Sequence, residues 1–205
     1  MIKFLTTVLI VKLCLDANQE IQELGNYMPK YKYDSFWETR GIEPAEPFSE
    51  SKQRLIRNIL KEIEYYTVLE FGCGNGELSQ LIKEKESHLT GVDISEDRLQ
   101  MNTDIDARLL LNIANTDSLF PISDLVICSH FLLHIKPEDI DFVFQKMIDY
   151  TAKYIIFIEP DSEKLKGEWE YYNFKHDYMK LVKKSKLNYR IIPISDLVNC
   201  WVLSK

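Results

Sequence analysis

The sequence predicts an α/β protein with a doubly wound, seven-stranded, mostly parallel sheet that closes on an antiparallel C-terminal strand. Three observations predict it. Short apolar, β-branched runs alternate with segments of helical periodicity from residue 51 onward. Those runs lack polar alternation, as strands covered on both faces do. The last two β-type runs, Tyr189–Ile194 and Val198–Leu203, leave no room for a helix between them and so pair as an antiparallel hairpin.

The elements follow in order. Ser49 is a candidate N-cap, and Leu55, Ile56, Ile59, Leu60 and Ile63 recur at helical spacing behind it, predicting an amphipathic helix over 51–64. Tyr66–Phe71 reads as the first strand and runs into a glycine-rich turn; Glu77–Lys85 reads as helix. His88–Val92, Arg108–Ile113 and Asp124–Cys128 are the second, third and fourth strands. Glu138–Tyr150 places Ile140, Val143, Phe144, Met147 and Ile148 on one helical side, Tyr154–Ile158 is the fifth strand, and Tyr172–Lys184 is helical. Ahead of these, residues 26–48 are rich in proline and aromatics and read as an ordered loop or lid. The expected division is an N-terminal helix and aromatic lid over 1–48 and a main body over 49–205.

Composition narrows the function. At 205 residues, with 45% apolar and 28% charged side chains, the chain suits one soluble globular body. A net charge of −7 argues against a protein built to grip phosphate backbone, so no nucleic-acid partner is expected. A local excess, nine Lys or Arg against six Asp or Glu between Lys153 and Arg190, reads as a solvated face or an anion-facing patch. Cys14, Cys73, Cys128 and Cys200 form no CxxC pair, which fits reduced thiols in a cytoplasmic enzyme and no metal. The apolar run Phe4–Val11 is too short to span a bilayer and is followed by Lys12, so neither secretion nor membrane insertion is expected.

The chemistry concentrates in Val68-Leu-Glu-Phe-Gly-Cys-Gly-Asn-Gly-Glu-Leu78. A buried strand feeds Gly72-x-Gly74-x-Gly76, then a helix, and Asp93 follows 21 residues after Gly72 at the end of the second strand. Glycines let the backbone approach a ligand, and a carboxylate at that distance suits ribose hydroxyls. Glu77 stands where a dinucleotide fingerprint has its third glycine, and Glu70 precedes the turn, where it repels a pyrophosphate and suits an ammonium group. The favoured ligand carries a ribose and a positive charge, as S-adenosylmethionine does.

LEFGCGNG followed by GVDIS resembles the first two motifs of class I S-adenosylmethionine-dependent methyltransferases of the small-molecule type, and ISDLVICSHFLLHI is similar to that family's fourth-strand segment. The likeness covers about Ser49 to Pro160. It implies the strand order 3-2-1-4-5-7-6. It also implies that Gly72, Cys73 and Gly74 line the methionine part, that Glu70 takes its amino group and that Asp93 takes the ribose hydroxyls. Ile94 would pack on the adenine, and Ser129 would lie near the sulfonium. Asn112 and Ile113 stand after the third strand, where the family commonly has an acidic residue for the adenine amino group; an amide oxygen can accept that bond without charge assistance. Phe36-Trp37-Glu38-Thr39-Arg40 is similar to an upstream stretch whose arginine meets the cofactor carboxylate.

Methyl transfer needs alignment and exclusion of water, with a base if the nucleophile carries a proton. His130 and His134 follow the fourth strand and are the candidate bases, with packing as the alternative role for each. Glu159 reads as a further carboxylate at the rim, and His88 and His176 as structural or exposed. No Asn/Asp-Pro-Pro-Tyr/Phe tetrapeptide follows the fourth strand, which disfavours DNA adenine and glutamine acceptors. Aromatics before the motif (Tyr27, Tyr31, Tyr33, Phe36, Trp37) and after the fifth strand (Trp169, Tyr171, Tyr172, Phe174, Tyr178) could meet as a lid over a small organic or saccharide-type acceptor. Other readings remain open: a methyltransferase-fold binding subunit without catalysis, an RNA or protein acceptor, and, opposed by Glu70, a nicotinamide-dependent oxidoreductase.

Overall fold

A computed structural model describes residues 48–115, 119–161 and 173–205. The N-terminal segment up to 47, Arg40 and most of the expected lid aromatics lie outside the described residues.

Helix α1 (Glu50–Lys61) starts at Ser49, whose hydroxyl accepts from the Lys52 N–H as an N-cap should. After it come β1 (Thr67–Phe71), α2 (Glu77–Lys83), β2 (His88–Asp93), α3 (Glu96–Met101), β3 (Ala107–Leu110), β4 (Ser123–Ser129), α4 (Ile140–Asp149), β5 (Thr151–Pro160), α5 (Tyr178–Ser185), β6 (Asn188–Pro193) and β7 (Val198–Ser204). The seven strands form one sheet in the order β3-β2-β1-β4-β5-β7-β6, which bears out the expected class I topology. All pairs from β3 to β5 are parallel, and β7 is antiparallel to both β5 and β6.

Alternation along each strand assigns the side chains to two cores. Leu69, Phe71, Val126, Cys128, Ile155, Phe157, Trp201 and Leu203 face one layer, covered by α4 through Val143, Phe144 and Met147 and by α5 through Tyr178, Leu181 and Val182. Val68, Leu125, Ile127, Ile156, Ile158, Cys200 and Val202 face the other, under Ile56, Ile59 and Leu60 of α1, Leu78, Leu81 and Ile82 of α2, and Leu99 of α3. Phe157 is fully buried, stacked on Trp201 at 5.5 Å between centroids and edge-on to Phe144 at 5.8 Å.

Some bounds differ from the sequence reading for physical reasons. Helix α3 was not predicted: with six residues and only Leu99 buried, it carries no periodic stripe, and its signal is the cap in which Ser95 Oγ accepts from the Arg98 N–H. Strand β3 stops at Leu110 because Asn112 Oδ1 accepts the Ala114 N–H and turns the chain. Strand β5 begins three residues early, where Ala152 and Lys153 are exposed and hide the strand from an apolar count. Helix α5 begins at Tyr178, capped by Asp177, not at Tyr172. Tyr178 is buried against Phe157 and Trp201, so it is a core residue and not part of a lid.

Phe157→Ala removes the ring that joins α4, α5 and β7, and it should lower unfolding stability by about 3–5 kcal/mol in urea denaturation. A loss under about 1 kcal/mol would show that this layer is not the keystone of the fold.

Candidate functional site

Parallel pairing brings the C-terminal ends of β1, β2 and β4 to one sheet edge: Phe71 is level with Val92 on one side and Cys128 on the other. The loops leaving these ends border a cavity of about 760 Å³, a volume suited to a nucleoside-sized ligand. It brings together Glu70, Gly72, Cys73, Gly74, Asp93, Ile94, Asn112, Ile113, Ser129, His130 and His134. Every described residue of the sequence-derived site is therefore in one place.

The three glycines of the turn have positive φ, +65°, +50° and +101°, for three separate reasons. A Cβ on Gly72 would strike the Phe131 ring at 2.5 Å, and one on Gly76 would strike Asn102 Oδ1 at 2.6 Å. A Cβ on Gly74 would meet nothing within 4 Å, so this glycine presents bare backbone to the cavity. The turn is tied down by the Gly72 and Cys73 N–H groups on Val92 O at 2.8 and 3.1 Å.

Glu70 is 2% exposed and borders the cavity from the α2 side of β1. Asn102 Nδ2 donates to Ser79 Oγ at 2.8 Å, and Ser79 donates to Glu70 Oε2 at 2.6 Å. Burial pushes this carboxyl up to about 8, with the Ser79 bond opposing and nearby Asp93 adding to the rise. Asp93 holds the neighbouring strand end: its Oδ2 accepts the Gly74 N–H at 2.8 Å and its Oδ1 the Ser95 N–H at 2.9 Å. Burial raises it too, while the Ser95, Gly74 and Ile94 amides and Arg98 act to keep it ionised. Each oxygen retains a lone pair for a further donor. Asn112 Oδ1 accepts the Ala114 N–H at 3.0 Å, which fixes the amide at the cavity wall.

On the far side of β1, His130 sits in the left-handed region at φ +50°. Its Nδ1 lies 3.3 Å from Lys52 Nζ and 3.1 Å from Ser129 Oγ. Burial, then the Lys52 charge, pulls the imidazole down to about 3, so it is neutral near pH 7. His134 ends the short 3₁₀ turn Leu132–His134 and is half-buried at the cavity wall. Glu159 is not at the rim: it is fully buried and accepts the Phe131, Leu132 and Leu133 N–H groups at 2.9, 2.8 and 3.4 Å, anchoring that turn. His176 is buried, its Nε2 2.9 Å from Ile135 O, as a structural residue.

Lys52 and Arg98 also border the cavity and were missed by sequence reasoning. Lys52 left one faint signal, a cation in the first turn of α1, where the helix dipole disfavours it. Arg98 left none, because its helix was invisible to periodicity. Among the described residues no cluster of His, Cys, Asp or Glu could hold a metal ion.

The arrangement fits a ligand with a ribose and a cation: a bare backbone face, a strand-end carboxylate with spare lone pairs, and a buried acid lacking a cation. The comparisons with known proteins agree. A family model described as a methyltransferase domain matches residues 69–153. Over 144 residues the chain is 26% identical to phosphoethanolamine N-methyltransferase 3 of Arabidopsis thaliana, which covers 63% of this chain but only 29% of that protein. Among solved structures, N-methyltransferase NodS of Bradyrhizobium japonicum with S-adenosyl-L-homocysteine aligns at TM-score 0.66, 12% identity, 85% of this chain and 99% of that one. Magnesium protoporphyrin IX methyltransferase of Synechocystis with bound S-adenosylmethionine aligns at 0.60 and 15%, covering 90% and 96%. The fold of the described body is thus that of these methyltransferases, and its residues 69–153 match a methyltransferase-domain model.

Gly74→Ala should cost about 1–2 kcal/mol of stability for its positive φ and a larger share of cofactor affinity, whereas Gly76→Ala should destabilise more and act on binding only through the fold. Thermal melts with and without S-adenosylhomocysteine check both; equal ligand-induced shifts in Gly74→Ala and the parent would dismiss this face.

Glu70 and Glu159, raised to about 8 and 7, bind protons in the folded state that the unfolded chain has already lost. Stability of the ligand-free protein should therefore fall as pH rises from about 5 to 8, by on the order of 1 kcal/mol per unit and group, and Glu70→Gln should flatten part of that slope. Urea midpoints that climb across this range would contradict the assignment.

Proposed function

We propose that this chain transfers the methyl group of S-adenosylmethionine to a small-molecule or saccharide-type acceptor by in-line displacement. The observation that carries it is the cavity at the β1, β2 and β4 ends, with Glu70, Asp93 and the bare Gly74 backbone around one space. The cofactor supplies, when bound, a methyl group on a cationic sulfur.

The chain's residues do the rest. Glu70 ionises against the ammonium of the methionine part, and Gly72, Cys73 and Gly74 let that part lie against backbone. Asp93 accepts from the ribose hydroxyls, Ile94 and Ile113 flank the base, and Asn112 accepts from its amino group. Arg40, outside the described residues, is assigned to the cofactor carboxylate. Ser129 stands at the start of the turn beside the transfer point. His130 and His134, both on the turn held by three amide bonds to Glu159 and both bordering the cavity, are assigned as the candidate proton acceptors. The segment 1–48 is assigned as an N-terminal helix and aromatic lid, and 49–205 as the cofactor-binding body. No nucleic-acid partner is assigned, given the net charge of −7. Among the described residues no helix is long and apolar enough to cross a membrane. A cytoplasmic location is assigned from the buried, free thiols of Cys73, Cys128 and Cys200.

Calorimetry with S-adenosylhomocysteine should show binding that Asp93→Ala weakens by about 10- to 100-fold, the worth of charged hydrogen bonds. Incubation with methyl-labelled cofactor and fractionated small-molecule extract should then label a low-mass product, and His134→Ala should lower turnover without lowering cofactor affinity. Binding without any labelled product would make the chain a binding subunit; unchanged affinity in Asp93→Ala would remove the ribose assignment.

A further inference from the structure

The sheet divides the cavity. Asp93, Ile94, Asn112 and Ile113 stand at the ends of β2 and β3, on one side of β1, whereas Ser129 and His130 end β4 on the other. Lys52 reaches the β4 side from the first turn of α1. Its ammonium has no carboxylate at ion-pair distance among the described residues. Its neighbours are the His130 imidazole at 3.3 Å and the Phe48 ring at 3.7 Å. Two acids act on it from farther off. Glu159 is occupied by three amides, and Glu77 borders the cavity.

A half-buried ammonium held by a neutral ring and an aromatic face is under-compensated. Burial lowers it to about 8, and the dipole of α1 opposes it further. The Lys52 proton directed at His130 Nδ1 leaves the ring's own proton on Nε2, so Lys52, the Ser129 hydroxyl and the imidazole form a set of donors on one wall. A set of this kind completes itself with an oxyanion, which accepts charge-assisted bonds and pairs the ammonium.

We propose that the acceptor carries an oxyanion, a carboxylate or a phosphate, that seats between Lys52 and His130 on the β4 side of the cavity. This rests on the methyltransferase reading and specifies its substrate class: an anionic small molecule whose nucleophile is presented next to Ser129. No covalent step involves Lys52. It is a specificity residue that holds the acceptor.

The test uses the full chain saturated with S-adenosylhomocysteine and inorganic phosphate as probe, followed through the nitrogen shifts of the His130 imidazole. Phosphate should shift them saturably in the parent and in Lys52→Arg, with affinity about tenfold or more weaker in Lys52→Met. No saturable response in the parent, or an equal one in Lys52→Met, overturns the proposal. A second arm compares S-adenosylhomocysteine with 5′-methylthioadenosine, which lacks the amino-acid carboxylate. Lys52→Met should leave the ratio of their affinities unchanged; a loss confined to S-adenosylhomocysteine assigns the pair to the cofactor's own carboxylate and overturns the acceptor reading. Absence of S-adenosylhomocysteine binding in the parent would instead defeat the methyltransferase reading itself.

Discussion

A carboxylate buried near the end of β1, with no cation of the described residues paired to it, is the constraint around which this molecule is arranged. An ionised acid in such a place is costly, and Glu70 avoids the cost by staying largely protonated near pH 7. Holding it there takes Ser79 from α2 and Asn102 from the end of α3, and Asn102 in turn leaves no room for a side chain on Gly76. The left-handed start of α2 and the end of α3 thus follow from the same group. A fold needs none of this for stability; a replacement by an apolar residue of similar volume would pack as well. What the arrangement leaves is a buried acid with no paired cation among the described residues, at the base of the glycine turn.

The second organising group is also a buried acid. Glu159 binds three successive amides after β4 and so fixes the turn that carries His130 and His134. One wall of the cavity is therefore acidic and hydrogen-bonded to the glycine turn through Asp93, and the other is a rigid turn facing Lys52. The two walls differ in charge: Glu70 and Asp93 stand on one, and the Lys52 ammonium stands on the other.

Much of this was legible in the residues. The glycines, Glu70 and Asp93 stand at fixed offsets from a strand end, and strand ends are easy to read when both faces are buried and the run is uniformly apolar. The antiparallel closure was legible because the gap between Ile194 and Val198 is too short for a crossover. What escaped had at most a faint local signature. Helix α3 is too brief for a stripe, and Arg98 went with it. Lys52 is distant in sequence from His130, and only the packing of α1 against the β4 loop joins them. Glu159 looked like a rim acid because strand position alone does not reveal that three amides from the adjacent loop fold back over it. Tyr178 looked like lid material because an aromatic near a polar segment reads the same whether it faces solvent or the core.

The central claim is that Glu70 waits in its protonated form for a cation. Calorimetric titration of S-adenosylhomocysteine at pH 7, in two buffers of different ionisation enthalpy, counts the protons exchanged on binding. The account predicts release of most of one proton in the parent and almost none in Glu70→Gln. Binding with no proton released in the parent, or with the same release in the variant, would contradict it.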